Sequence, residues 1–107
     1  MLTIQTRVNG MLGLASKAGK ISFGVDATSE AIEKETAKLI IIAKDTSENT
    51  AKKIERLSAR KNIKSIYFGT IEENSLAIGK FNKAIIAIRD ENFSKAILKI
   101  INGGDVT

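Results

Sequence analysis

The sequence contains no cysteine, no histidine and no proline, and its aromatic residues are Phe23, Tyr67, Phe68, Phe81 and Phe93 alone. Without thiols there is no disulfide, no thiolate nucleophile and no thiolate metal site; without imidazole the commonest acid-base group and metal ligand is missing as well. A serine nucleophile would have only Lys or a carboxylate to activate it. Glu72 and Glu73 are adjacent, so on a helix they point about 100° apart and do not face each other as a catalytic pair would. The segment from Gly19 to Gly24 has the glycine spacing of a phosphate loop but lacks the Lys-Ser/Thr that must follow. No enzymatic activity, cofactor or metal is expected. Nor does any apolar run approach the 18 or so residues of a membrane span, and no basic leader precedes a continuous apolar stretch at the N-terminus. A soluble, cytoplasmic protein with no membrane partner is the expectation.

What the chain does have is lysine, and glycine in regular places. Its 107 residues allow one domain, residues 1–107, around one core. Seventeen Lys and Arg against twelve Asp and Glu give a net charge of +5 and a pI near 9.6, a balance that favours polyanionic partners.

With no proline, elements must be bounded by glycines and by Ser, Thr and Asp caps. A first helix is predicted from about Thr3 to Ala18, with Ile4, Val8, Met11, Leu12 and Ala15 on one stripe and Gly19 as its stop. Gly10 and Gly13 weaken it locally but would allow close packing on a sheet. Ile21 to Phe23 reads as a short strand ending at Gly24; Asp26, Thr28 or Ser29 can cap a second helix to about Thr36. Lys38 to Ala43, KLIIIA, has the nearly continuous apolar and β-branched character of a central strand covered on both faces. Asp45 and Glu48, with Ser47 as a rival cap, open a third helix that turns Ala51, Ile54 and Leu57 inward. Ser65 to Phe68 is a third strand, and Thr70 with Glu73 forms a capping box for a short helix ending near Gly79. Ala84 to Ile88 is the fourth strand. A last helix from about Glu91 carries Phe93, Ala96, Ile97, Ile100 and Ile101 on one face, stopped by Gly103 and Gly104, and the residues after Asn102 read as a frayed tail. The alternation predicts an α/β fold: a three-layer α/β/α sandwich with a mixed four-stranded central sheet and alternating helices.

The charges are unevenly spread. Between Lys44 and Lys64 stand seven basic residues and three acids. Lys52, Arg56 and Arg60 fall at i, i+4 and i+8 on one exposed face that could track phosphates; the same charges equally fit a solvated face with pairs such as Glu48 with Lys52. Lys17, Lys20, Lys80 and Lys83 flank the glycine turns at Gly19 and Gly79, where an RNA backbone could approach closely. Gly24-Val25-Asp26-Ala27-Thr28 sets a helix N-terminus beside a strand end, a natural anion site, although Asp26, Glu30, Glu33 and Glu35 against Lys34 make that helix acidic. Phe23, Phe68 and Phe93 follow core periodicity. Phe81, between Lys80 and Asn82, is open to either a core or a stacking role.

Three stretches in this order, Leu12-Gly13-Leu14-Ala15-Ser16-Lys17-Ala18-Gly19-Lys20, then Leu39 to Ala43 leading into Asp45-Thr46-Ser47-Glu48-Asn49-Thr50, then Ala77-Ile78-Gly79-Lys80, resemble the L-seven-Ae ribosomal protein family, in particular its small bacterial YlxQ-like branch. The resemblance runs from about Arg7 to Ile101. It implies an α/β/α sandwich that binds kink-turn RNA without catalysis, in ribosomes or other ribonucleoproteins, with RNA and other ribosomal proteins as partners of a monomer. It also implies an RNA surface built from Gly24 to Glu30, Lys44 to Ser47 and Gly79 to Lys83; together with the lysines beside the glycine turns this gives the expected site residues Lys17, Lys20, Gly24, Val25, Asp26, Thr28, Lys44, Asp45, Lys80 and Lys83. Strong kink-turn binders of the family read Gly-x-Asn-Glu-x-x-Lys at the first segment. Here Gly24 is kept, Asp26 replaces the Asn, Ala27 the Glu and Glu30 the Lys; the lost base-edge acceptor and the reversed charge each weaken such a contact by about 1–3 kcal/mol. Asn74-Ser75 stands where the family usually has Leu-Gly. The fold is thus expected in full and the kink-turn specificity is not. A second function, a protein-interaction module that keeps the fold with a weakened RNA surface, fits the acidic second helix.

Overall fold

The computed structural model describes residues 3–103. Among them, five helices alternate with four strands: α1 (Ile4–Lys17), β1 (Ile21–Phe23), α2 (Val25–Glu33), β2 (Leu39–Ile42), α3 (Glu48–Arg60), β3 (Lys64–Tyr67), α4 (Ile71–Ala77), β4 (Ile85–Ile88) and α5 (Glu91–Ile101). The strands form one mixed sheet in the order β1-β4-β2-β3, with β4 antiparallel to both β1 and β2, and β2 parallel to β3.

β2 and β4 lie inside the sheet, and every residue of both is buried. Because strand side chains alternate between faces, the two strands divide into two sets. Ile40, Ile42, Ile85 and Ala87 face Ala31 and Ile32 of α2 and Ala51, Ile54 and Leu57 of α3. Leu39, Ile41, Ile86 and Ile88 face Val8 and Leu12 of α1, Ile78 after α4 and Ile97 of α5. Helices on both faces make the α/β/α sandwich that the alternation predicts. Phe23, Phe68 and Phe93 are partly buried against the second cluster. On the predicted α1 stripe, Val8, Leu12 and Ala15 are fully buried and Met11 partly, whereas Ile4 in the first turn is 45% exposed.

The ends of the elements follow local chemistry. Thr3, Ser47 and Asp90 accept from backbone N–H groups of the first turns of α1, α3 and α5, and the Thr70–Glu73 capping box closes both of its bonds. Four details differ from the sequence reading. α2 starts earlier, with Gly24 at the cap position and no side-chain cap, so Asp26, Thr28 and Ser29 lie inside the helix. It also ends at Glu33: Glu35 takes a left-handed φ of 60°, and Thr36 N–H turns back to the Ala31 carbonyl, a stop made without glycine. Asp45 does not cap α3; its Oδ1 accepts from Ile71 N–H at 2.8 Å, at the start of α4. Gly13 lies against α4, where an added Cβ would sit 3.3 Å from the Ala77 carbonyl, rather than on the sheet, and Gly10 faces open space. Gly104 and the tail beyond it lie outside the described residues.

Among the described glycines, Gly69 has the least room for a side chain. Its φ is +66°, and a Cβ there would collide with Asn74 Oδ1, whose amide donates to the Phe68 carbonyl at 2.8 Å. Gly69→Ala is expected to lower stability by about 2–3 kcal/mol, from left-handed strain plus a disrupted hydrogen bond. Gly10→Ala, on an open helix surface, is expected to raise it by about 0.5–1 kcal/mol. Urea denaturation of the two variants checks the opposite signs.

Candidate nucleic-acid interface

Strand direction decides which loops meet. Since β1, β2 and β3 run one way and β4 the other, the ends of the first three and the start of β4 share one edge of the sheet. That edge collects Gly24, the segment from Lys44 to Ser47, the turn at Gly69 and the loop from Gly79 to Lys83. Backbone bonds stitch the segments together: Gly24 N–H to the Ile85 carbonyl at 2.9 Å, Ala43 N–H to the Ala84 carbonyl at 3.0 Å and Lys44 N–H to the Gly69 carbonyl at 2.8 Å. The Thr46 hydroxyl adds a longer contact to the Ala84 carbonyl at 3.4 Å.

The loop before β4 is fixed by one side chain. Ser75 in α4 is buried, and its Oγ accepts from Lys83 N–H at 2.8 Å and lies 3.2 Å from the Lys83 carbonyl, to which it donates. Gly79 at φ +73° and Asn82 at φ 57° supply the left-handed turns that bring the chain around. Lys80 and Lys83 then converge on Phe23 at the end of β1, with ammonium nitrogens 5.1 and 5.2 Å from the ring centroid. Each such contact is favourable by about 0.5–1 kcal/mol at an exposed site, enough to hold two like charges near one ring. Phe81 between them projects into solvent, 81% exposed. Beside it lies a groove of about 360 Å³ lined by Asp45, Ile71, Ser75, Leu76 and Phe81.

α2 enters the same edge with its N-terminus open. Gly24 contributes no side-chain cap, so the first N–H groups of α2 point out of the helix without a side-chain acceptor. Val25 is half-buried against the core and Asp26 is exposed. Thr28 is fully buried; its hydroxyl has no hydrogen-bond partner and its side chain does not reach the surface. Further along α2 the acids are occupied. The Lys34 ammonium, hydrogen-bonded to Glu30 at 2.9 Å, holds that carboxyl below its usual range and is itself held above the ordinary lysine value. Lys61 lies 4.0 Å from Glu33 and 3.6 Å from Glu35.

The sequence-predicted residues are thus partly brought together. Gly24, Val25, Asp26, Lys44, Asp45, Lys80 and Lys83 share the edge. Ser16 Oγ lies 3.5 Å from the Ile78 carbonyl, which brings the last turn of α1 near the end of α4, but Gly19 just beyond it accepts from Arg89 at the opposite edge, so Lys17 stands between the two edges. Lys20 does not share the edge: its carbonyl accepts from Arg89 N–H at 2.8 Å beyond the far end of β4, at the opposite edge. Sequence reasoning passed over Ser75, Asn74 and Phe23 as parts of this region. The only visible signal was Asn74-Ser75 itself, polar residues in the middle of a short helix.

The comparisons with known proteins cover the same span. The model of the ribosomal protein L7Ae/L30e/S12e/Gadd45 family matches residues 6–99. The RNA-binding protein YlxQ of Enterococcus faecium is 34% identical over 93 residues, 87% of this chain and 89% of that protein. The RNA-binding protein YlxQ of Bacillus subtilis is 28% identical over 95 residues, 86% and 92% of the two chains. Among solved structures, a protein of unknown function from Bacillus halodurans superposes with a TM-score of 0.86 at 25% identity, covering 90% of this chain and 97% of that one. The Giardia lamblia 15.5kD RNA binding protein superposes with a TM-score of 0.75 at 12% identity, covering 95% and 88%, a likeness of fold alone. With the sandwich, the segment order and the family model in agreement over nearly the whole chain, this protein belongs to the ribosomal protein L7Ae/L30e/S12e/Gadd45 family.

Proposed function

We propose that this protein is a non-enzymatic RNA-binding protein that grips structured RNA at the sheet edge where Gly24, the segment from Lys44 to Ser47 and the loop from Gly79 to Lys83 meet. The observation that carries the reading is the junction of two cations, Lys80 and Lys83, with a helix N-terminus left without a side-chain cap on one stitched edge. Cations and outward N–H groups are complementary to phosphate. Phe81, exposed beside a groove, offers a face on which an unpaired base can stack. The YlxQ relatives, RNA-binding by name, support the same class of partner.

The target is a bent or looped RNA, in a cytoplasmic ribonucleoprotein setting, bound by a monomer. Kink-turn preference is weakened relative to the family's strong binders, since Asp26, Ala27 and Glu30 place no base-edge amide or phosphate-pairing cation on the first turns of α2. Thr28, being buried, contributes by packing, and Lys20 has no part in this edge.

Binding of a kink-turn RNA and of an unbent duplex of equal length, titrated by fluorescence anisotropy over a salt series, tests the proposal. Wild type is expected to bind both at low salt, with affinity falling steeply as salt rises. The pair Lys80→Glu and Lys83→Glu is expected to lose at least about tenfold and to flatten the salt slope by about 2. No binding to either RNA at low salt would overturn the reading. Ser75→Ala, which frees the Lys83 backbone from its hydroxyl, is expected to weaken RNA binding several-fold while circular dichroism still reports a folded chain; unchanged affinity would show that the loop holds its shape without that hydroxyl.

A further inference from the structure

Helix α3 sorts its charges by face. At about 100° per residue, Lys53, Arg56 and Arg60 fall within about 60° of one another, on an exposed flank beside the face that buries Ala51, Ile54 and Leu57, with Lys53 about 40° from Leu57. All three are exposed, and no acid pairs with any of them among the described residues. They surround Ala59 in an open groove of about 540 Å³, with no aromatic or acidic side chain in its lining. The stripe expected from sequence included Lys52, which lies about 40° from Arg56 but is paired with Glu48 at 3.2 Å; Lys53 completes the set of unpaired cations.

The acids that could neutralise this face are each engaged elsewhere. Glu48 is held by Lys52, and Glu33 and Glu35 of the α2 end lie near Lys61. Glu55 faces Tyr67 on β3, and its carboxylate holds the tyrosine pKa above its ordinary value. A row of like charges along one helix face disfavours the isolated helix, so the row is a feature the fold carries against its own preference.

Position gives the row a direction. α3 begins directly after the segment from Lys44 to Ser47 at the candidate interface and, as the crossover between parallel β2 and β3, runs back over the sheet for about 20 Å by helical rise. Lys44, exposed at the edge, precedes it. We propose that the Lys53, Arg56 and Arg60 face of α3 is a second, sequence-independent phosphate-contact surface, over which a duplex arm of the RNA held at the loop edge continues. This rests on the RNA reading given above. Its chemistry is that of backbone positioning: point charges and a guanidinium fork above a flat Ala59 floor, with nothing that would read a base edge.

The test uses the full chain and two RNAs, a kink-turn hairpin with a duplex arm long enough to span α3, and the same hairpin with that arm cut to a closing loop. The triple variant Lys53→Gln, Arg56→Gln and Arg60→Gln changes exposed residues only, and circular dichroism verifies its fold. On the long-arm RNA it is expected to flatten the log–log salt dependence by about 2–3 and to lose about tenfold in affinity near 0.1 M salt; on the short-arm RNA it matches wild type. An unchanged slope on the long-arm RNA overturns the α3 surface while leaving the loop-edge reading intact. Loss of slope in this variant, with full binding retained by the Lys80→Glu and Lys83→Glu pair, removes the loop edge and overturns the proposed continuation from it, leaving α3 as a phosphate surface by itself. Equal losses on both RNAs also overturn the duplex-arm surface, since the contact would then not depend on the arm.

Discussion

The pairing of β2 with β4 is the constraint on which the rest of the molecule depends. Both strands are buried on both faces, so they carry no polar face that would punish a slip of one residue in the way a half-solvated strand does. Their register, Ile41 opposite Ile86 and Leu39 opposite Ile88, is instead fixed at the ends. Lys38 N–H meets the Ile88 carbonyl at one end, and Ala43 N–H meets the Ala84 carbonyl at the other. The second of these anchors belongs to the same stitched edge that holds the candidate interface. Core registration and the geometry of the proposed RNA edge are therefore one problem, solved by one set of hydrogen bonds.

From that edge the helices take their places. Gly24, bonded to Ile85, delivers α2 with its N-terminus open beside the loop before β4. Asp45 leaves the capping of α3 to Ser47 and accepts from the first N–H of α4 instead, tying the loop after β2 to the turn after β3. The Gly69 turn between them admits no side chain, because Asn74 and Gln5 fill the space. Polar residues that look like surface choices in the sequence are thus the joints of the edge.

Much of this was legible beforehand, and the misses have specific causes. The alternation of helices and strands, the covered central strand and the Thr70–Glu73 box follow from local patterns, and the structure agrees with them. The early start of α2 was hidden because Asp26, Thr28 and Ser29 all look like better caps than Gly24; tertiary pairing of Gly24 with Ile85 outweighs that preference. The end of α2 was hidden because its left-handed residue is Glu35 rather than glycine. At the candidate interface, proximity in sequence to a glycine turn grouped Lys20 with Lys80, whereas strand direction separates them. The role of Ser75 depends on a partner eight residues away, across a turn whose path no periodicity describes. Sorting of the α3 cations into paired and unpaired likewise depends on Glu55 facing Tyr67 on β3, a helix-to-strand neighbour that no local pattern shows.

The Ser75 hydroxyl engages both the N–H and the carbonyl of Lys83, so the loop that carries Lys80, Phe81 and Lys83 is locked onto α4 before any ligand arrives. The conformational entropy of that loop is surrendered during folding rather than on association, which leaves more of the contact energy for the complex. The same lock would make the loop a poor adapter: a ligand whose shape does not already fit it would have to break a partly buried hydrogen-bond pair to be accommodated, so selectivity at the proposed edge would be one of shape first.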